Sequence, residues 1–360
     1  MGENLWIYAI FHKCPLDLIG LIPPPKAQND VSIMTIHIDT LSLTPAVFLA
    51  PMAGITDLPY RRAVARFGAG LVVSEMVASQ EMVQAKPGVR EKAAFDDDIG
   101  AAAVQLAGRE AYWMAEAARQ VADRGAKLID INMGCPAKKV VNGYSGSALM
   151  RDLDHALRLI DAVVDAVDLP VTLKMRLGWD DETQNCDELA RRAQSAGIKM
   201  LTVHGRTRCQ FYKGQADWAA ISKVTSVANV PVVANGDIVC ADTARLALAQ
   251  SGADAVMVGR GAQGRPWALA QISAQLAGRA GPITPTGEAF VQIVLQHYEE
   301  ALSFYGNELG TKVTRKHLGW YMDQAKTPSD LRRAVLTATP GDVRRHLRAA
   351  LDPAWAKDAA

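Results

Sequence analysis

Eight short apolar runs, rich in β-branched residues, punctuate residues 46–277. They cover residues 47–50, 71–74, 102–106, 128–131, 171–175, 200–203, 232–234 and 255–258. Runs without polar alternation are expected of parallel strands buried on both faces. The segments between them, such as 109–124, 153–167, 186–196 and 241–250, have helical length and patterning. Three of these end at Gly125, Gly197 and Gly252, which suits a helix C-terminus. Eight successive β–α units predict a (β/α)8 TIM barrel in the α/β class. An open doubly wound sheet would need no eighth unit, and no G-x-G-x-x-G follows the first run.

The strand signal stops after residue 284. Residues 290–304, 310–324, 330–338 and 342–350 read as four helices, with Pro328 and Pro340 as breakers. A small C-terminal all-helical domain over 284–360 is therefore expected beside a barrel domain over 34–283. Whole-chain charge is only +1, which by itself points to no polyanionic partner. Residues 309–350, however, hold nine Lys and Arg against three Asp, a local charge of +6. His317, Trp320 and Tyr321 lie among them. Cations interleaved with aromatics suit phosphate contact and base stacking, and the competing reading is a solvated helical face.

Residues 1–33 differ from the rest, with an apolar stretch from Leu5 to Phe11 and a Pro23-Pro24-Pro25 breaker. They read as an extension the fold does not need, and Met34 opens a stretch that leads into the first strand. A chain starting at Met34 is expected to keep its fold and activity. The five cysteines are far apart and lack zinc-ligand spacing. An odd number without a framework points to a reducing, cytoplasmic setting. No apolar run reaches the length of a membrane span.

Barrel chemistry collects where strands end. Polar residues gather at those positions: Pro51-Met52-Ala53-Gly54, Gln105, Asn132-Met133-Gly134-Cys135-Pro136, Lys174 and Arg176, His204-Gly205-Arg206, Asn235-Gly236-Asp237, and Gly259-Arg260-Gly261. The last two clusters resemble the phosphate cradle of many barrels, with glycines admitting the anion and Arg260 adding charge. Asn-Gly-Asp alone is more often a plain turn. Lys174, at the end of a buried strand, calls for an anion. A reduced flavin supplies one, and a salt bridge within the barrel is the alternative. Gln105 donates and accepts, which matches an isoalloxazine edge. Cys135 sits in a loop and not on an apolar face, unlike a structural cysteine. His204 suits either the cofactor or a loop hydrogen bond.

The ordered motifs LAPMAGITDLPYR, VSEM, QLAG, DINMGCPAKKV, GSALMRD, VTLKMRLGW, TVHGRT, PVVANGDI and GADAVMVGRGAQGRPW resemble the tRNA-dihydrouridine synthase family, in particular its bacterial B-type (Dus B) group. The likeness spans residue 46 to about 350. It implies an oxidoreductase that reduces the C5–C6 bond of a D-loop uridine in tRNA to 5,6-dihydrouridine. FMN would be held by Pro51, Met52, Ala53, Gln105, Lys174, His204, Asn235, Gly236, Asp237, Gly259 and Arg260. NADPH would reduce the flavin, and Cys135 would be the general acid. Asn132 and Arg206 would contact the flipped uracil. The helical domain would hold the tRNA through Arg315, Lys316, Arg344 and Arg345, on a monomeric protein.

That chemistry is coherent. The flavin supplies a hydride to C6, which no side chain can do. C5 then needs an acid on the opposite face, and an ordinary thiol is mostly protonated at neutral pH. The target base must leave the folded RNA. Two other readings compete: a small-molecule dihydropyrimidine or dihydroorotate oxidoreductase, which would not need the basic helices, and a regulatory RNA-binding protein with a vestigial barrel.

Overall fold

The computed structural model describes residues 34–96 and 99–352. The expected 1–33 extension lies outside the described residues. An antiparallel hairpin, β1 (Ile36–Ile38) and β2 (Leu41–Leu43), comes first. Eight parallel strands follow: β3 (Val47–Leu49), β4 (Leu71–Ala78), β5 (Ala102–Ala107), β6 (Leu128–Met133), β7 (Val171–Arg176), β8 (Leu201–His204), β9 (Val232–Asn235) and β10 (Ala255–Val258). They close in sequence order, with β10 beside β3. The closed barrel matches the eight apolar runs, and almost every strand residue is buried.

The helices preceding the last strand are α1 (Leu58–Ala65), α2 (Ser79–Val83), α3 (Val89–Lys92), α4 (Ala111–Asp123), α5 (Lys138–Asn142), α6 (Leu153–Val164), α7 (Cys186–Ser195), α8 (Ser222–Thr225) and α9 (Ala241–Ser251). After β10 come α10 (Ala268–Leu276), α11 (Gly287–Tyr305), α12 (Asn307–Gln324), α13 (Ser329–Thr337) and α14 (Val343–Leu351). Gly125, Gly197 and Gly252 all have positive φ, as residues just past a helix end require. No helix among the described residues is long and apolar enough to cross a membrane.

Met34 does not lead straight into the barrel. The hairpin intervenes, and its Ile36, Ile38 and Leu43 pack with Phe48, Leu71, Val73, Leu128, Val233 and Met257. These residues form a cluster separate from the larger core of α4, α6 and α7 against the strands. Strand starts contribute to this cluster, so the hairpin closes the end of the barrel away from the strand C-termini, leaving those as the open mouth.

The helical region docks through buried rings. Tyr60 of α1 lies 5.6 Å from the His297 ring and 4.8 Å from the His317 ring, centroid to centroid. His297 Nδ1 lies 3.0 Å from the hydroxyl of Tyr321, itself fully buried. His317 and Tyr321 are therefore interface residues and not members of an exposed stacking surface. Burial pushes His297 down to about 3, with Arg66 adding to the effect. Burial, His297 and Lys316 also hold His317 well below the usual imidazole range. Folding thus excludes a proton that the unfolded chain binds below about pH 6.5. The stability contributed by neutral His297 is present above that pH and drains as pH falls toward 3. His297→Gln keeps a partner for Tyr321 and cannot titrate. Between about pH 7 and pH 5 it should lose roughly 2 kcal/mol less stability than the parent. Asp57, raised to about 6 mainly by burial, contributes the opposite slope and is common to both chains. Equal losses in urea titrations at the two pH values would exclude His297 as a source of the acid limb.

Candidate active site

The strand C-termini open onto a cavity of about 380 Å³, within the roughly 300–1,000 Å³ of small-molecule sites. Pro51, Met52, Ala53, Gln105, Asn132, Cys135, Lys174, His204, Asn235, Gly236, Asp237, Gly259 and Arg260 all line it. Residues from seven strand ends, separated by more than 200 positions in sequence, thus face one space.

The Cys135 loop is held from several sides. Gly134 and Cys135 donate their backbone N–H groups to Asn132 Oδ1 at 3.2 and 3.0 Å. Ser147 donates to the Cys135 carbonyl through its backbone N–H at 3.1 Å and its hydroxyl at 2.8 Å. Arg176 Nε donates to the Gly134 carbonyl at 2.8 Å. Gly146 sits beneath at φ +61°, and a Cβ there would come within 2.9 Å of the Cys135 carbonyl oxygen. The thiol itself is free and half-buried at the cavity wall.

Cations gather around the strand ends from β7 to β10. Lys174 donates to Asn235 Oδ1 at 3.0 Å, and Asn235 donates to the Met257 carbonyl at 2.8 Å. Burial, then Arg176, pushes Lys174 down to about 8. His204 is driven well below the usual imidazole range by loss of water and by Arg176, Lys174, Arg206 and Arg260, so it is neutral. Gly236, at φ +114°, lies against it, and a Cβ would meet the ring at 2.9 Å. A neutral imidazole among four cations leaves a cavity that favours an anionic occupant. The donor set and the glycine-lined approach fit the phosphate and polar edge of a flavin mononucleotide.

Arg206 and Asp237 make contacts that differ from the expected ones. Arg206 is 1% exposed and does not line the cavity. Its guanidinium donates to both Asp237 oxygens at 3.0 and 2.6 Å, to the Lys213 carbonyl at 3.1 Å and to the Gly214 carbonyl at 2.7 Å, with His204 Nε2 at 3.4 Å. Four of its five donors meet carboxylate or carbonyl oxygens and the fifth points toward the His204 ring, so its guanidinium is committed to the loop and not to the cavity. Asp237 likewise turns its carboxylate to Arg206, to Arg260 at 3.2 Å and to the Ala216 N–H at 2.8 Å. It ties the loops after β8, β9 and β10 together, and a carboxylate cannot donate to an anion. Gln105 and Asn132 hydrogen-bond each other at 2.8 Å. Each retains one amide hydrogen for a ligand.

Arg176 stands in the sequence only as a strand-end residue without a role, and Tyr212 is not singled out there. Arg176 ties Gly134 to the Thr207 and Phe211 carbonyls, at 2.8 and 2.9 Å, and so joins the cysteine loop to the loop after β8. Tyr212 in that loop lies under both Arg260 and Arg176, at 5.0 and 5.5 Å from their guanidinium carbons. With Phe211 it forms a half-exposed aromatic edge at the mouth. Aromatic residues in a long βα-loop beside strand-end arginines were the available signal.

The basic helices divide into two groups. Arg344 pairs with Glu299, Arg345 with Asp342 at 3.2 Å, Arg348 with Glu288 at 2.8 Å, and Arg332 with Asp323 at 2.6 Å. Extending the count back to residue 284 adds Glu288, Glu299, Glu300 and Glu308 and reduces the +6 of residues 309–350 to +2 over 284–350. Lys312, Arg315 and Lys316 instead share one exposed face of α12 and form no ion pair among the described residues. Lys316 reaches the mouth, since a Cβ on Gly54 would lie 3.2 Å from its Nζ.

The sequence profile of the family described as dihydrouridine synthase (Dus) matches residues 48–352. A probable tRNA-dihydrouridine synthase of Rhodobacter capsulatus is 64% identical over 307 residues, which cover 85% of this chain and 94% of that protein. A tRNA-dihydrouridine synthase B of Xanthomonas axonopodis pv. citri is 48% identical over 312 residues, 86% of this chain and 93% of that one. Among solved structures, a 2-naphthoyl-CoA reductase complex aligns at a TM-score of 0.53 and 15% identity, over 69% of this chain and 52% of that one. Histamine dehydrogenase from Rhizobium sp. 4-9 aligns at 0.52 and 14%, over 75% and 51%. At these identities the structural likeness concerns the fold alone.

Proposed function

The chain belongs to the dihydrouridine synthase family, and from that premise we propose that it reduces the C5–C6 bond of a D-loop uridine in tRNA, with bound FMN, NADPH as reductant and Cys135 as proton donor. One observation carries the reading: a free thiol on a tightly held loop faces the same cavity as Lys174 and Arg260. A bound flavin would supply the hydride that no side chain can. Lys174 would balance negative charge on the reduced ring, and Arg260 with the Gly236 and Gly259 backbone would meet the phosphate. Neutral His204 adds no charge to the site. Cys135 would hand its proton to C5 from the other side of the bond. Absorption spectroscopy of the purified protein tests the cofactor: flavin bands that bleach with NADPH under nitrogen support it, and a colourless protein that takes up no FMN overturns it.

The barrel would hold the flavin and the helical region the RNA. The exposed cationic face of α12 is the docking strip this reading favours. Lys312, Arg315 and Lys316 changed together to alanine should flatten the log–log dependence of tRNA affinity on salt by about one unit per lost phosphate contact. The Arg344→Ala, Arg345→Ala pair should change it far less, because both arginines already face carboxylates. Equal slopes for the α12 variant and the parent would move docking elsewhere.

A further inference from the structure

The cavity rests on a polar chain that begins below it, at a residue with no place in the proposed chemistry. Asp130 lies in the middle of β6 and is 4% exposed. Its Oδ1 accepts from the Thr172 hydroxyl at 2.7 Å, and its Oδ2 from Gln105 Nε2 at 2.7 Å. Gln105 Oε1 accepts from Asn132 Nδ2 at 2.8 Å. Asn132 Oδ1 then accepts the N–H groups of Gly134 and Cys135. Strand register makes this possible, since Gln105 is the direct neighbour of Asp130 across β5 and β6. Asn132 follows two residues later on the same face.

We infer that Asp130 is a positioning residue that orients the Cys135 loop through the side-chain amides of Gln105 and Asn132. A carboxylate only accepts, whereas an amide can turn either end to a neighbour. With Asp130 at the root, Gln105 must present its NH₂ downward and its oxygen to Asn132. Asn132 must then present its NH₂ to Gln105 and its oxygen to the loop. Both amides are thereby oriented from one end. Their remaining hydrogens are left as the donors available to a ligand, and the loop N–H groups find an acceptor. An amide at position 130 removes the constraint. Gln105 could then turn over, Asn132 could follow, and an NH₂ would face the Gly134 and Cys135 N–H groups. Donor would oppose donor, and the loop would loosen. Burying the acid has a cost, visible as a carboxyl pushed up to about 6 by desolvation. Gln105, Thr172 and Lys174 offset part of that shift.

This inference rests on the proposed role of Cys135, but its test does not depend on turnover. Alkylation of Cys135 by iodoacetamide, followed by peptide mass spectrometry in the absence of tRNA, reads the loop directly. Asp130→Asn should change that rate several-fold, while the rate at exposed Cys209 stays the same. On tRNA, kcat should fall by about 10-fold to 100-fold, the scale of a misplaced reacting group, with KM little changed. In an Asn132→Ala background, Asp130→Asn should add nothing further, because the chain is already cut. If Asp130→Asn does not fold, Gln105→Leu breaks the same chain one link later and should give the same Cys135 rate change. Unchanged Cys135 alkylation in the folded variant would overturn the inference, as would an equal effect of Asp130→Asn with and without Asn132. A protein that makes no dihydrouridine would defeat the functional reading and leave the alkylation test standing.

Discussion

Cys135→Ala is expected to lower dihydrouridine formation by roughly 10²-fold or more, the usual scale for a general acid. Flavin content and NADPH oxidation should stay close to the parent's. The loop contacts survive the change, because Asn132 and Ser147 bind main-chain atoms of residue 135 and Arg176 binds the Gly134 carbonyl. Only the thiol is lost, and it faces the cavity. The two activities therefore separate loss of the acid from loss of the site. A variant that modifies tRNA at the parent's rate would remove Cys135 from the reaction.

Arg206→Met is expected to be the most damaging single change to stability on this side of the barrel. It leaves the Asp237 carboxylate without its two-point partner and the Lys213 and Gly214 carbonyls without donors. Breaking a buried pair in this way costs on the order of 3 kcal/mol or more. The loss should appear as a lower urea midpoint at unchanged slope. Flavin retention should fall as well, because Asp237 also tethers Arg260. Arg260→Met should cost much less stability, since its side chain is 29% exposed against 1% for Arg206. Equal midpoints for the two variants would show that Arg206 does not hold the loop.

Much of this molecule is legible in its residues, for identifiable reasons. Strands buried on both faces carry continuous apolar runs, so β3 to β10 announce themselves. The glycines past α4, α7 and α9 mark real helix ends, because only they take positive φ there without strain. The entry hairpin does not announce itself: Ile36–Ile38 and Leu41–Leu43 are three residues each, too short to establish a period. The strand-end polar residues do converge, yet their types do not say which are already engaged. Arg176 and Arg206 look equivalent in sequence. One lines the cavity, and the other is consumed by carbonyls whose position depends on the path of residues 205–218. The charge of the helical region misleads for a similar reason. Arg344 and Arg348 meet glutamates 45 and 60 positions away, which a local count cannot register. Asp130 left a usable signal. An acid two residues before Asn132 on a buried strand needs partners, and the neighbouring strand supplied one in Gln105.

The most direct test of the proposed function is chemical. Purified protein is incubated with unmodified tRNA transcript and NADPH under nitrogen, and the nucleosides are analysed by mass spectrometry. The proposed function predicts dihydrouridine at a D-loop position, formed in proportion to NADPH consumed and absent when free uridine replaces the tRNA. NADPH consumption with no dihydrouridine in the RNA, or reduction of free uracil in preference to tRNA, would contradict it.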